Sequence, residues 1–270
     1  LDGFALIQSA RIRPIRVIRV LFQLAERLRH SFAKGALFMF VSVVIPFHNC
    51  EAYLAEAIQS VLDQGHAPLE LIVVDDGSTD GSAAVARRVG AAEHPAGVAV
   101  HYLWQEQQGA GAARNRGAAA ARGEYVAFLD ADDLWTPEKI AVQLAALAAD
   151  PTLDAVFGNL EQFLQPGLDP ALAARYEYHQ SMNGYSAGTM LIRLAAWQRL
   201  GGFTPGLRFG EFVDWYVRAK ERGLHDLLLP QVFLRRRIHG RNYSLTAADQ
   251  HIAYVGVAKA ALDRRRAAAG

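Results

Sequence analysis

The sequence predicts an α/β fold, a mostly parallel sheet flanked by helices, with a smaller subregion beyond about residue 150. Three observations predict it. Short apolar runs alternate with stretches of helical periodicity from Val41 onward, and runs of roughly four to eight apolar residues between helices mark strands buried on both faces. Two of the runs end in acidic clusters, Asp75-Asp76 and Asp130-Ala131-Asp132-Asp133. Hydrophobic residues make up 51% of the 270 residues, enough to cover both faces of such a sheet.

Val41–Pro46 is a continuous apolar run that ends at a proline and reads as the first strand. Glu51–Leu62 is helical through Leu54, Ile58, Val61 and Leu62. Leu69–Val74 is a second strand, closed by a Gly-Ser-Thr turn, and Gly81–Val89 a helix. Val98–Trp104 is a third strand, Gly109–Ala121 an alanine-rich helix and Tyr125–Leu129 a fourth strand. Pro137–Ala148 is a helix with proline near its first turn, where its missing N–H costs nothing. Leu153–Phe157, Thr189–Arg193 and Val232–Ile238 read as further strands and Glu211–Arg222 as a helix, with a Pro/Gly break at Gln165–Asp169 and an irregular stretch from Leu153 to Gln180. The Ala/Arg-rich residues 258–270 read as a terminal helix fraying into a tail.

Residues 1–38 differ from the rest: seven basic residues stand against Asp2 and Glu26, and Ile15, Ile18, Leu21, Leu24 and Leu28 recur at helical spacing. A basic amphipathic helix suits a membrane surface. An accessory helix, or sequence upstream of a start at Met39, is the favoured reading. The run Ala36–Phe47 is too short to span a bilayer, which needs roughly 20 residues. The first residues lack the basic and apolar blocks of a secretory signal, and Cys50 is the only cysteine, so no intrachain disulfide can form. A reducing, cytoplasmic location is expected, peripheral at the inner membrane face should residues 1–38 meet lipid. A net charge of +1 gives no overall attraction to nucleic acid.

Ligands of an open parallel sheet bind outside the carboxyl ends of its strands, where both acidic clusters fall. One aspartate at a strand end is ordinary capping chemistry; two clusters are harder to assign to capping, although Asp80 and Asp133 suit a cap or turn as well as a site. Asp130 and Asp132, two residues apart beyond an apolar strand, have the oxygen chemistry that Mg²⁺ or Mn²⁺ prefers. A rival pattern is Gly109-Ala110-Gly111-Ala112-Ala113-Arg114, which opens a helix after a strand and nearly copies a dinucleotide-binding fingerprint. Arg114 in place of the third glycine, its position in the third strand–helix unit and the triple acid cluster all count against that reading.

Four segments, Val41-Ser-Val-Val-Ile-Pro-Phe-His-Asn49, Leu71-Ile-Val-Val-Asp-Asp-Gly-Ser-Thr-Asp80, Gly109 to Gly117 with its Arg114-Asn-Arg, and Glu124-Tyr-Val-Ala-Phe-Leu-Asp-Ala-Asp-Asp133, resemble the consecutive signatures of family 2 glycosyltransferases over residues 39–140. Gly188–Arg193, Gly201-Gly202-Phe203 and Arg237-Ile-His-Gly-Arg-Asn-Tyr-Ser244 resemble that family's acceptor half.

The resemblance implies a GT-A fold with a Rossmann-like sheet, a nucleotide-sugar half over residues 39–150 and an acceptor half of the same domain over 151–257. It implies that Pro46, Phe47 and Asn49, with Asp75 and Asp76, hold base and ribose, and that Arg114 lies near the diphosphate. Asp130, Ala131 and Asp132 would meet ribose and metal, Mn²⁺ or Mg²⁺, with His239 a further metal ligand or a hydrogen-bonded histidine. Trp135 and Trp215 suit packing better than sugar stacking.

One departure stands out: where many members carry an acidic general base, this chain has Phe212, within Gly210-Glu-Phe-Val-Asp-Trp215. Asp214 and Glu211 are the replacement candidates, Asp214 being preferred because an acid at a helix start, as at Glu211, is equally explained by capping. The competing explanation for Asp214 is a pair with Arg218, four residues on.

The expected activity is metal-dependent, inverting transfer of a sugar from a nucleotide-diphosphate sugar to a glycan, lipid-linked sugar or peptide acceptor. A nucleotidyltransferase and a catalytically weakened nucleotide-sugar-binding protein are the alternatives.

Overall fold

The computed structural model describes residues 39–174, 184–207, 209–240, 242, 256–257, 259–260, 262–264 and 266–267. The basic segment 1–38 and residues 258, 261, 265 and 268–270 of the tail lie outside them. The described chain forms strands β1 (Val41–Phe47), β2 (Leu69–Asp76), β3 (Val98–Gln105), β4 (Tyr125–Phe128), β5 (Leu134–Trp135), β6 (Ala155–Leu164), β7 (Leu191–Arg193) and β8 (Asp226–Ile238). The helices are α1 (Leu54–Leu62), α2 (Ser82–Gly90), α3 (Ala110–Ala120), α4 (Lys139–Ala149), the single turn α5 (Pro170–Ala173), α6 (Leu194–Leu200) and α7 (Glu211–Glu221), with a 3₁₀ turn at Ala187–Thr189.

All eight strands share one sheet, in the order β3-β2-β1-β4-β7-β6-β8-β5. β1 pairs in parallel with β2 and β4, β2 with β3, and β6 with β8; β7 runs antiparallel to β4 and β6, and β5 antiparallel to β8. The chain leaves β1 first to one side and later to the other, so a crevice opens beyond the carboxyl ends of β1 and β4, at the switch point of the sheet.

Strand side chains alternate between two cores. Val41, Val43, Ile45 and Phe47 of β1 face one core with Leu69, Leu71 and Val73 of β2, beneath α1, α2 and α4. Val44 of β1 faces the other with Ile72 and Val74, beneath α3, α6 and α7. Burial on both sides explains why these strands read as unbroken apolar runs.

Several elements differ from expectation, among them the unexpected β5 and α5. β6 continues past Phe157 to Leu164 through the polar residues Asn159, Glu161 and Gln162. β8 begins at Asp226, upstream of Pro230, because irregular register between Phe157 and Leu160 accommodates the proline. α6, seven residues long, is too short to show a helical period.

α3 sits close to β1 because its inner face is small: Gly111, Ala113, Gly117 and Ala118 are buried. A Cβ at Gly117 would lie 2.3 Å from Val44 Cγ1 and 2.9 Å from Cγ2, so both branches of a buried side chain would obstruct it. Gly117→Ala is therefore expected to destabilise the fold by about 1–3 kcal/mol through overpacking. A urea midpoint that does not fall would show that α3 can lift from the sheet without loss.

Lys139, at the start of α4, is fully buried. Its Nζ donates to Gln143 Oε1 at 2.8 Å and to Met190 O at 3.4 Å, and lies 4.1 Å from the centroid of the Trp135 ring. The ring favours the ammonium form, but both acceptors are neutral, and burial holds the amine well below its ordinary value of 10.5. Below pH 10.5 the unfolded chain protonates this lysine and the folded chain resists doing so, so the unfolded state binds more protons and stability rises with pH. Lys139→Met is expected to raise the unfolding free energy at pH 7, with the gain shrinking as pH approaches 10.5. Denaturation curves at pH 7, 9 and 10.5 check this; a gain independent of pH would mean that the amine is charged when folded.

Candidate active site

The crevice is built by four loops that follow β1, β2, β3 and β4. After β1, Asn49 adopts a left-handed conformation (φ 53°). Its Oδ1 accepts the backbone N–H groups of Thr79 at 2.8 Å and Asp80 at 3.3 Å, while its own N–H donates to Ser78 Oγ at 3.1 Å. His48 Nδ1 lies 2.8 Å from Asp76 O. The first and second loops are thereby tied together, and Asn49 serves that tie directly. Asp80 completes it, accepting from Ser82 N at 2.9 Å and Glu51 N at 3.2 Å.

Asp75 and Asp76 are both buried. Asp75 accepts Ser78 N at 2.8 Å and the Tyr102 hydroxyl at 2.8 Å. Asp76 accepts Gln105 Nε2 at 2.7 Å and the N–H groups of Gln108 and Gly109, each at 2.8 Å. The Asp76 carboxylate thus fixes the turn into α3, where Gly109 takes a φ of 95° that side-chain-bearing residues rarely adopt. Pro46 and Phe47 end β1 beside them, buried.

α3 carries Arg114 into the crevice. Arg114 is buried and donates from Nη2 to Asp130 Oδ1 and from Nη1 to Glu211 Oε1, the latter at 2.9 Å. Burial works against its charge, but the Asp130 and Glu211 carboxylates hold the guanidinium above its ordinary value. This contact joins residues 97 positions apart. It brings the first residue of α7 to the end of β4, and the Asp130 side chain remains 42% exposed.

Beyond β4, Ala131 is buried and Asp132 and Asp133 point into different surroundings. Asp132 Oδ2 lies 3.0 Å from His239 Nε2 and 3.3 Å from Asn242 Nδ2. His239 in turn packs against Tyr53, ring centroids 4.5 Å apart, and its N–H donates to Asn242 Oδ1 at 2.5 Å. Asp133 is buried and accepts Arg237 N at 2.9 Å; burial, with Asp132 and Asp130 as negative neighbours, pushes its pKa well above the carboxylate range. Arg237 locks this corner, donating to Asp132 O at 2.9 Å, Gln165 Oε1 at 2.7 Å and Glu56 Oε2 at 2.6 Å. Cys50 lies close by, and burial, with Asp132, Asp80 and Asp130, pushes its thiol up to about 12, so it is inert at neutral pH.

These contacts bear on the two base candidates and on the two tryptophans. Asp214, preferred over Glu211 in the sequence as the acceptor-side base, is buried, accepting the Thr204 hydroxyl at 2.6 Å and Arg218 Nε at 2.9 Å. Glu211, the second of the two candidates, reaches Arg114, which also donates to Asp130. Asp214 is thus engaged within the fold, while Glu211 is the acid joined to the crevice. Trp215 is fully buried, with its indole N–H on Gly201 O at 2.7 Å, and Trp135 is buried with its own on Gly188 O at 2.9 Å; both pack. Tyr102, Gln105, Tyr53, Glu56 and Asn242 were not singled out by sequence reasoning. Asn242 falls inside the Arg237–Ser244 stretch, the one signal that could have found it.

Among the described residues, no group of three or more His, Cys, Asp or Glu is arranged to hold a metal ion unaided. No helix among them is long and apolar enough to cross a membrane.

Several known proteins are similar to this chain. An uncharacterized glycosyltransferase of Nostoc is 47% identical over 102 residues, 38% of this chain and 31% of that protein. The chondroitin synthase of Escherichia coli is 28% identical over 218 residues, 77% of this chain and 30% of that protein. The chain thus spans about a third of the length of these curated relatives. S. aureus TarS in complex with UDP-GlcNAc superposes with a TM-score of 0.63 at 21% identity, covering 82% of this chain and 66% of that one. A mannosyltransferase of Pyrobaculum calidifontis in complex with GDP-Man and Mn²⁺ superposes with a TM-score of 0.60 at 21% identity, covering 95% and 86%. At that identity the two structures show the fold, the GT-A type that the sequence resemblance implied. The family model described as glycosyl transferase family 2 matches residues 42–208, more than half of the chain, and the chain belongs to that family.

Proposed function

We propose that this chain transfers a glycosyl group from a nucleoside-diphosphate sugar to an acceptor hydroxyl, with inversion at the anomeric carbon. The observation that carries the reading is the Asp130–Arg114–Glu211 bridge, which sets a solvent-accessible strand-end carboxylate beside a carboxylate from the far half of the chain. Pro46, Phe47, Asn49, Asp75, Asp76 and Ala131 shape the side of the crevice where the nucleoside would lie. The relatives bound to UDP-GlcNAc and GDP-Man support a nucleotide-sugar donor for this fold.

The residues at the end of β4 fit a divalent ion. Asp132 and Asp130 offer oxygen and His239 nitrogen, and because these do not make a complete protein cage, the set suits ions that take remaining ligands from substrate phosphates and water. The Mn²⁺ in the mannosyltransferase complex supports this, and Mn²⁺ or Mg²⁺ is the proposed cofactor. Such an ion supplies Lewis-acid neutralisation of the departing diphosphate. Asp132 and Asp130 would hold it, and Asn242 and Tyr53 fix the rotamer of the His239–Asp132 pair. Glu211 would take the acceptor proton as the acceptor oxygen bonds to the anomeric carbon and the bond to diphosphate oxygen breaks. Arg114 orients Glu211 while leaving it one oxygen for that proton.

The test is product analysis. Incubation with a panel of UDP- and GDP-sugars and Mn²⁺ should release nucleoside diphosphate. Pyrophosphate would instead mark a nucleotidyltransferase, and saturable binding without turnover a binding protein, which the Phe212 departure makes worth separating.

A further inference from the structure

We propose that Tyr185, Phe212 and Tyr216 form a stacking platform for a pyranose ring of the acceptor, so that the acceptor is a glycoside. The inference rests on the transfer reading above and deepens it. It starts from Phe212, the residue that departs from the family pattern. Its ring stacks on Tyr216 (centroids 6.0 Å, 19° between planes) and meets Phe157 edge-on at 6.1 Å. Tyr185 lies 5.1 Å from both Phe157 and Tyr216. Phe157 is fully buried and anchors the group, whereas Tyr185 is 40% exposed.

The position is favourable. β6 runs parallel to β8 and antiparallel to β7, whose first residue pairs with Ala127 near the end of β4. Phe157, just past the Val156–Leu191 pair, therefore stands at the level of the β4 carboxyl end, on the crevice side. Phe212 directly follows Glu211 in the first turn of α7, so the platform starts within one helical turn of the residue that would take the acceptor proton.

The chemistry matches a sugar. A pyranose has a face of C–H groups and a rim of hydroxyls. Aromatic faces carry negative quadrupole density that attracts such C–H groups, and binding pockets combine apolar walls with a few polar groups for orientation. Here the rim is polar: the Tyr216 hydroxyl donates to Asp226 Oδ2 at 3.1 Å, and Lys220 Nζ meets Asp226 Oδ1 at 2.6 Å. Burial and Asp226 both raise the pKa of each tyrosine, so both hydroxyls stay protonated and neutral at physiological pH.

The experiment uses the full chain, with saturation-transfer NMR against a panel of methyl pyranosides, and ribitol as a ringless polyol control. UDP and GDP binding in Mn²⁺, and donor hydrolysis by water, are measured in parallel. The expected result is transfer to ring C–H protons of at least one glycoside and none to ribitol. Tyr185→Ala should weaken that glycoside about tenfold, the upper range for an aromatic contact, and Phe212→Leu should do likewise. No glycoside binding, or binding that survives both substitutions, overturns the platform while intact nucleotide binding leaves the transfer reading standing. Glycoside binding through Tyr185 in a chain that binds no nucleoside diphosphate would keep the platform and overturn the transfer reading.

Discussion

Asp132→Asn is expected to abolish turnover, by about a hundredfold or more, and to remove the metal dependence of nucleoside-diphosphate binding. Asp132 is 26% exposed at its side chain and held in place on Oδ2 by His239 and Asn242. An amide oxygen can still accept from both, so the loop should keep its shape and lose only the negative charge. Loss of a ligand that supports Lewis-acid stabilisation of the leaving group is worth several kcal/mol of barrier, and about 1.4 kcal/mol is tenfold. Calorimetry with UDP or GDP, with and without Mn²⁺, and turnover in the presence of excess chelator check this. Full activity in chelator would overturn the metal assignment, and with it the role given to Asp130 and His239.

Glu211→Gln should lower kcat by about 10²–10⁴, the range for a lost general base, with donor affinity nearly unchanged. The amide oxygen can still accept from Arg114, so the buried guanidinium keeps a partner. Asp214→Asn should behave differently. Its carboxylate bonds Thr204 and Arg218 within the fold, and weakening a buried, charge-assisted pair costs stability, about 1–3 kcal/mol, without a specific effect on kcat. Steady-state kinetics at a temperature where both variants are folded, paired with urea denaturation, separates the two outcomes. Should Asp214→Asn lose kcat with unchanged stability while Glu211→Gln remains active, the base is Asp214 and the structure's pairing must rearrange on binding.

The site was legible in the sequence to the extent that it is local. Asp130 and Asp132 stand two residues apart after an apolar run, and Asp75-Asp76 likewise, so period and position alone place them at strand ends. The i,i+4 spacing of Asp214 and Arg218 also foretold their pair. Spacing could not foretell Thr204, ten residues earlier on a loop, and that second donor is what commits Asp214 to the interior. Nor could it foretell the Arg114–Glu211 contact, which exists only because α3 and α7 cover the same face of the sheet.

By itself the sequence determined the strand–helix alternation, the family and the acidic strand ends, because these depend on hydrophobic period and on residues adjacent in the chain. Tertiary structure decided the rest. It put Lys139, an ordinary helix-start lysine by sequence, into an apolar interior, because α4 turns that face toward β6 and β7. It extended β6 and β8 through polar and proline-containing stretches, since pairing with a neighbour can override propensity. It set Glu211 rather than Asp214 toward the crevice, because the choice between two acids on one helix depends on what packs against each side, and that neighbour comes from elsewhere in the chain.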